Sequence, residues 1–183
     1  MLPIISGREG NQIKIEVTVD LSGSMLEAEE SILRAVNAVG NVATGEALKR
    51  FDADGDPIVV GGAKWYSKGK LSKIYSTPYG VVSAERHVYQ PAEGGKTFCP
   101  MDDRARIIRK ATPRFAKIVS HKFARGAAAQ VVEDLEQNHG RPCLKASLQD
   151  LATHVGDGGA DQGRNLELCN AGAGQGRDGR HRG

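Results

Sequence analysis

Basic side chains recur at helical spacing between Thr112 and Gly126, where they could contact phosphate groups. Thr112-Pro113 is typical of a helix start, because proline suits the first helical position. Lys and Arg side chains that meet nucleic acid neutralise phosphates and displace counterions. This segment is therefore a candidate nucleic-acid contact, and its basic residues are Arg114, Lys117, His121, Lys122 and Arg125.

Two further helices are predicted directly after this segment, over about 127–138 and 144–154. A helix pair joined by a short Gly-containing turn is typical of the helix-turn-helix motif, whose second helix enters the DNA major groove. In that hypothesis Gln can bind adenine, Lys can bind guanine, and Arg141 in the turn is placed for a phosphate. The predicted contacts are Arg141, Lys145, Ser147 and Gln149. A plain helical hairpin without a DNA function remains the alternative.

Asp20, Ser22 and Ser24 have a spacing that could hold a divalent metal ion. This Asp-x-Ser-x-Ser pattern, placed after a strand and at a helix start, resembles the metal-ion-dependent adhesion site of von Willebrand factor A-type domains. That resemblance implies oxygen ligands for an ion such as Mg²⁺ and a protein-binding function. The alternative is a capped helix start, in which Ser22 or Ser24 binds free backbone amides and Asp20 favours the positive helix end.

Two other groups of residues are candidates for a calcium site and for a nucleophile, and neither has the residues that such a site requires. Asp52, Asp54 and Asp56 imitate a calcium loop, but Pro57 stands where that motif requires Gly. Cys99 has no base near it in the sequence, so a buried, inert thiol is expected. We therefore predict no catalytic residue, no metal site and no cofactor.

The charge of the chain is strongly segregated. Residues 64–125 hold fourteen Lys/Arg against four Asp/Glu, a net of +10 in a chain whose formal net charge is +3. Aromatic side chains are spread through the same block. Such a composition is expected of a surface that meets phosphates, although a solvated basic face around a small core would have the same composition.

The elements that must position these residues are those of an α+β protein. Strict alternation predicts a strand over Ile13–Val19, and Ser24 with Glu27 predicts a capping box that starts a helix running to about Arg50. Short strands from 58 to 90, separated at Lys68-Gly69 and at Thr77-Pro78-Tyr79-Gly80, predict an antiparallel meander. The predicted parts are 1–57, strand and long helix; 58–111, basic meander; 112–155, helical DNA-binding region; and 156–183, a disordered Gly-rich tail.

The composition also indicates the cellular compartment of the protein. The three cysteines form no close pair, so a disulfide framework is not expected. No apolar run is long enough for a membrane span, and no export signal is evident at the N-terminus. We expect a cytoplasmic protein without a membrane partner.

Several blocks of the sequence, taken in order, resemble one known family. These are VTVDLSGSMLEAEE, ATGEALKRFDADGDPIVVGG, STPYGVVSAERHVYQPAEGGKTFCPMD, TPRFAKIVSHKFA and VVEDLEQNHGRP. Together they resemble the N-terminal part of bacterial insertion-sequence transposases of the Kra-type family, over about Ile13–Val155. The resemblance implies a part in DNA transposition, with the ends of the mobile element as the DNA partner, and association with itself or with intact transposase.

The same resemblance implies which activities to expect. In the family, three carboxylates of a downstream RNase H-like domain hold two metal ions for strand cleavage. That domain is not recognisable here, so the chain resembles a truncated product without activity of its own. Related transposases often carry paired zinc-binding cysteines before the Gly-Lys-x-Phe segment. Only Cys99 stands near that place, with Gly94 and Gly95 before it, so zinc is not expected.

Overall fold

The computed structural model describes residues 2–156 as a mixed protein of helices and sheets. Five helices and two small antiparallel sheets follow one another along this part of the chain. The prediction of a protein with both helices and antiparallel strands is confirmed at this level. The predicted disordered tail lies outside the described residues, apart from Gly156. No helix within residues 2–156 combines the length and the apolar character needed to cross a bilayer.

The first sheet is a hairpin of β1 (Ile4–Glu9) and β2 (Gln12–Glu16). Gly10 turns the chain at φ +53°, a conformation that glycine adopts without strain. The sequence predicted only one strand, over Ile13–Val19, and that prediction was too long at its C-terminal end. The ladder ends at the Ile4–Glu16 pair, directly after Pro3, which has no N–H to donate.

The long helix α1 (Met25–Lys49) begins where the capping box predicted. Ser24 accepts a hydrogen bond from the backbone N–H of Glu27, and the Glu27 side chain accepts one from the backbone N–H of Ser24. These two bonds satisfy amides that would otherwise be unpaired at the helix start. The predicted helix over 24–50 is confirmed.

The second sheet has the order β3 (Ile58–Val60), β4 (Ala63–Ser76) and β5 (Val81–Pro91). The meander is confirmed, but Lys68-Gly69 does not separate two strands. Ser67 pairs with Tyr89 and Lys70 with His87, so the ladder continues past an irregularity at these two residues. A β-bulge of this kind absorbs extra residues in one strand without ending it.

One core forms between this sheet, the C-terminal part of α1 and a short helix α2 (Pro100–Arg104). The sequence did not predict α2. Side chains from all three meet in a buried cluster, which comprises Leu48, Tyr75, Ala84, Met101 and Ile107.

A second core lies between three helices, α3 (Pro113–Phe123), α4 (Ala128–His139) and α5 (Lys145–Gly156). The predicted bounds of α4 and α5 lie within two residues of these, whereas α3 ends three residues before the predicted end at Gly126. Gly140 ends α4 in the left-handed conformation at φ +56°. The helical part joins the sheet through the backbone of Ser76. The Ser76 carbonyl accepts a hydrogen bond from the N–H of Thr112 at 2.9 Å, and the Ser76 N–H donates one to the carbonyl of Lys110 at 2.6 Å.

Candidate nucleic-acid interface

Helix α3 has one buried face, which fixes its orientation in the three-helix core. Phe115, Ala116 and Val119 are each no more than 2% exposed. They pack in the cluster that also contains Val131, Leu135, Leu148 and Leu151 of α4 and α5. Because this face is held on two sides, the opposite face of α3 is presented to solvent.

The exposed face of α3 carries a line of basic side chains. Arg114, Lys117 and His121 are exposed and lie at intervals of three and four residues, so they share one side of the helix. Arg125, just beyond the helix end, is exposed as well. We call these four residues the basic stripe. Within the described residues, none of Arg114, Lys117 and Arg125 forms a salt bridge, so their charges are available to a partner.

Lys122 lies beside the basic stripe but is engaged inside the protein. Its ammonium pairs with Asp134 of α4, which also accepts a hydrogen bond from Asn138 at 2.7 Å. The Lys122 hydrogen bond is the main reason that the pKa of Asp134 lies below its usual range. Lys122 therefore ties α3 to α4, whereas the sequence placed it with the candidate contacts.

Arg141 is buried, although the sequence placed it at a DNA phosphate. The residue is only 3% exposed, and its Nε donates to the backbone carbonyl of Thr77 at 3.0 Å. Its guanidinium carbon lies 4.8 Å from the centre of the Phe115 ring. Burial lowers the pKa of Arg141. Helical periodicity could not have revealed this position, because the partner carbonyl lies 64 residues earlier in the chain.

The predicted contacts on α5 divide between two sides of the helix. Lys145, Ser147 and Gln149 are all exposed, while Leu148 and Leu151 enter the core. Lys145 and Gln149 are four residues apart and share one side. Ser147 is offset from both by about half a turn, since each residue advances a helix by roughly 100°. The structure therefore groups Lys145 with Gln149 and separates Ser147 from them.

Some basic side chains of the block 64–125 are buried inside the protein, where they pair with an acidic residue. Lys73 donates to Asp102 at 2.8 Å, and the Nε of Arg86 lies 3.6 Å from the same carboxylate. Asp102 also accepts from the hydroxyl of Tyr75 at 2.6 Å. Burial and the Asp102 charge raise the pKa of Tyr75, which keeps this hydroxyl a neutral donor. Lys73 and Arg86 thus balance a buried acid, while Lys64, Lys68 and Lys70 of the block are exposed.

The Asp20-x-Ser22-x-Ser24 pattern forms the start of α1. Asp20 accepts from the backbone N–H of Ser22 at 2.9 Å, and this hydrogen bond lowers the pKa of Asp20. The hydroxyl of Ser24 lies 2.8 Å from Glu27 within the capping box. These contacts are those expected of a capped helix. Among the described residues, no three His, Cys, Asp or Glu side chains are grouped to hold a metal ion.

Arg109 and Lys110 were missed as candidates because they precede α3 and show no periodicity. The Nε of Arg109 lies 3.6 Å from the carboxylate of Asp150 on α5. Lys110 is exposed. Both side chains line a cavity beside the buried Arg141. The only sequence signal for them was the general excess of positive charge.

Comparisons of the chain with protein-family models, with curated proteins and with solved structures gave no match.

Proposed function

We propose that this chain binds duplex DNA, with the basic stripe of α3 as the main phosphate contact. The observation that carries the proposal is the exposure of Arg114 and Lys117 on one side of α3, with Arg125 exposed just beyond its end, while the other side of the helix is buried. A line of cations that have no acidic partner among the described residues can neutralise neighbouring phosphates of one strand, and the release of their counterions favours binding.

Helices α4 and α5 support a helix-turn-helix interpretation of the same region. The turn between them spans residues 140–144 and begins with the left-handed Gly140. Lys145 and Gln149 then lie together near the start of α5, where a recognition helix contacts base edges. In this proposal Lys145 and Gln149 select the sequence, and the basic stripe supplies most of the affinity.

The link to transposition rests on the sequence resemblance. The resembling blocks correspond to the part that precedes the catalytic domain in the Kra-type family. We therefore propose recognition of element ends as the role of this chain and assign no strand cleavage to it.

A titration of DNA binding against salt tests the proposal. Neutralising several phosphates makes log K fall linearly with log salt, by about 0.9 for each contact on duplex DNA. The triple variant Arg114→Gln, Lys117→Gln, Arg125→Gln should bind more weakly and reduce this slope by about 2 to 3. Its control is Lys14→Gln, Arg34→Gln, Arg50→Gln, which removes three exposed cations outside the basic block. Equal slopes for the two triple variants would contradict the assignment of the basic stripe.

The proposed role of α5 has its own test. Selection of bound sequences from a random duplex library should yield a preferred site. Gln149→Ala should relax the preference at one base pair and cost about 1–3 kcal/mol there, with the salt slope unchanged. Glu133→Ala, at an exposed position of α4, is the control. A preference that survives both Gln149→Ala and Lys145→Ala unchanged would exclude α5 as the recognition helix.

A further inference from the structure

A cavity of about 450 Å³ lies between the turn end of the β4–β5 hairpin, the start of α3 and the first turns of α5. This volume is within the range of sites that hold small molecules. Much of the wall is apolar, with contributions from Val81, Ala111, Phe115, Leu144, Leu148 and Leu151. An organic body could therefore be buried there at the expense of water.

The charged groups on the wall are mostly cationic. Lys73, Arg109, Lys110 and Arg141 line the cavity, and Asp150 is the single acidic residue among the described residues that line it. Two of the four cations have a carboxylate partner: Lys73 is bound to Asp102, and Arg109 lies near Asp150. Within the described residues, Lys110 and Arg141 have no carboxylate partner. The wall therefore has an uncompensated positive charge.

Arg141 makes this imbalance costly. The residue is almost fully buried, and its Nη2 has no hydrogen-bond partner in the described part of the chain. The Nε bond to Thr77 and the Phe115 ring satisfy only part of the guanidinium. A buried charged group with an unpaired donor is unfavourable unless an anion compensates it. A bound carboxylate or phosphate would supply that compensation.

Two helix starts lie against the same cavity. Ala111 and Phe115, on either side of the first residues of α3, are part of its wall. Thr112 is the N-cap residue of that helix and makes no capping side-chain hydrogen bond within residues 2–156. Leu144, directly before α5, and Ser147 in its first turn also line it. Leu144 has no polar group to cap the helix. Unpaired amides and the helix dipole favour negative charge at such ends.

From these observations we propose that the cavity binds a small amphipathic anion, with an apolar body and one carboxylate or phosphate group. The body lies against Phe115, Leu148 and Leu151, and the anionic group faces Lys110, Arg109 and Arg141. The site is separate from the basic stripe and does not depend on DNA binding.

Two fluorescent probes of nearly the same shape test the proposal on the full 183-residue chain. They are 1-anilinonaphthalene-8-sulfonate, an amphipathic anion, and N-phenyl-1-naphthylamine, which lacks the sulfonate. Lys110→Gln should weaken sulfonate-probe binding by about fivefold to tenfold, as expected for one lost charged contact. Asp150→Asn should strengthen it, because an acidic side chain of the wall becomes neutral. The neutral probe should respond to neither variant by more than about twofold.

Competition then identifies the anionic group. Decanoate and decyl phosphate share one apolar chain, and the one that displaces the sulfonate probe at the lower concentration has the preferred headgroup. Decanol, the neutral relative, should displace it poorly.

Because Arg141→Ala can unfold the protein, the test uses Lys110→Gln and Asp150→Asn instead. The circular dichroism spectra of these two variants should match that of the unmodified chain. The proposal fails if both probes respond equally to these variants, or if decanol competes as well as the two anions.

Discussion

The Nε of Arg141 donates a hydrogen bond to the backbone carbonyl of Thr77, and this contact joins the helical part of the protein to the β4–β5 turn. The turn itself is held by Thr77, whose hydroxyl accepts from the backbone N–H groups of Tyr79 and Gly80 at 3.0 Å each. Arg141 thus acts on a turn that is already ordered. Its main role in the unliganded protein is to fix the three-helix core against the sheet.

Replacement of Arg141 should therefore destabilise the fold. Arg141→Ala removes the Thr77 contact and the stacking on Phe115, and we expect a loss of about 2–4 kcal/mol in the free energy of unfolding. Urea denaturation followed by circular dichroism measures it. Arg114→Ala, at an exposed position on the basic stripe, should change stability by no more than about 0.5 kcal/mol. Equal effects of the two substitutions would show that the buried contacts contribute nothing.

Asp102 stabilises the other core through its buried contacts. It is 6% exposed and accepts hydrogen bonds from Lys73 and Tyr75. Asp102→Asn would leave the Lys73 ammonium without its carboxylate, which for a buried pair costs about 3–5 kcal/mol. Asp103→Asn changes the adjacent acid, which is less buried, and serves as the control. A thermal unfolding series should place Asp102→Asn far below both the control and the unmodified chain.

The sequence predicted the elements whose signals are local. The capping box of Ser24 and Glu27 starts α1, and Thr112-Pro113 starts α3, because a helix start depends on residues within one turn of it. β1 was missed because its alternation is broken near Gly7, where the register with β2 shifts. α2 was missed because five residues are too few to show a helical period.

The candidate site was only partly predictable for a similar reason. The exposure of Arg114 and Lys117 follows from the apolar spacing of Phe115 and Val119 on the same helix. The burial of Arg141 depends on Thr77, and the pairing of Lys122 depends on Asp134. Neither partner can be inferred from periodicity, because each lies on an element whose position is set by tertiary packing.

Acid should weaken the contact between the N-terminal hairpin and α1. Glu46 accepts hydrogen bonds from Arg8 and Lys49, each at 2.6 Å, and these lower its pKa from 4.5 to about 2. A depressed pKa in the folded state adds stability that is complete above about pH 4.5 and is lost as the pH falls towards 2.

Amide exchange of β1 and β2 measures this effect. Exchange, corrected for its intrinsic pH dependence, should become faster between pH 4.5 and pH 2 in the unmodified chain. Glu46→Gln should show the weakened hairpin already at pH 7, with little further change on acidification. Glu29→Gln, an exposed position of α1, should behave like the unmodified chain. Hairpin protection that is constant across this pH range would contradict the role of Glu46.

Gly40 of α1 allows the β4–β5 turn to pack directly on the helix. A Cβ at this position would meet the ring of Tyr79, and the neighbouring Asn41 accepts from the hydroxyl of Thr77 at 3.0 Å and donates to the carbonyl of Tyr79 at 3.3 Å. In an isolated helix, Gly→Ala is stabilising by about 1 kcal/mol. Here the added methyl group should instead destabilise the protein, since overpacking costs about 1–3 kcal/mol.

A double-mutant cycle separates these two effects. Gly40→Ala should lower the free energy of unfolding in the unmodified chain but raise it by about 1 kcal/mol in a Tyr79→Ala background, where the ring no longer blocks the methyl group. Urea denaturation of the four proteins gives the coupling energy. If Gly40→Ala has the same effect in both backgrounds, the close approach of Tyr79 does not determine the need for glycine. A change of sign between them would show that the turn and α1 are packed as the structure describes.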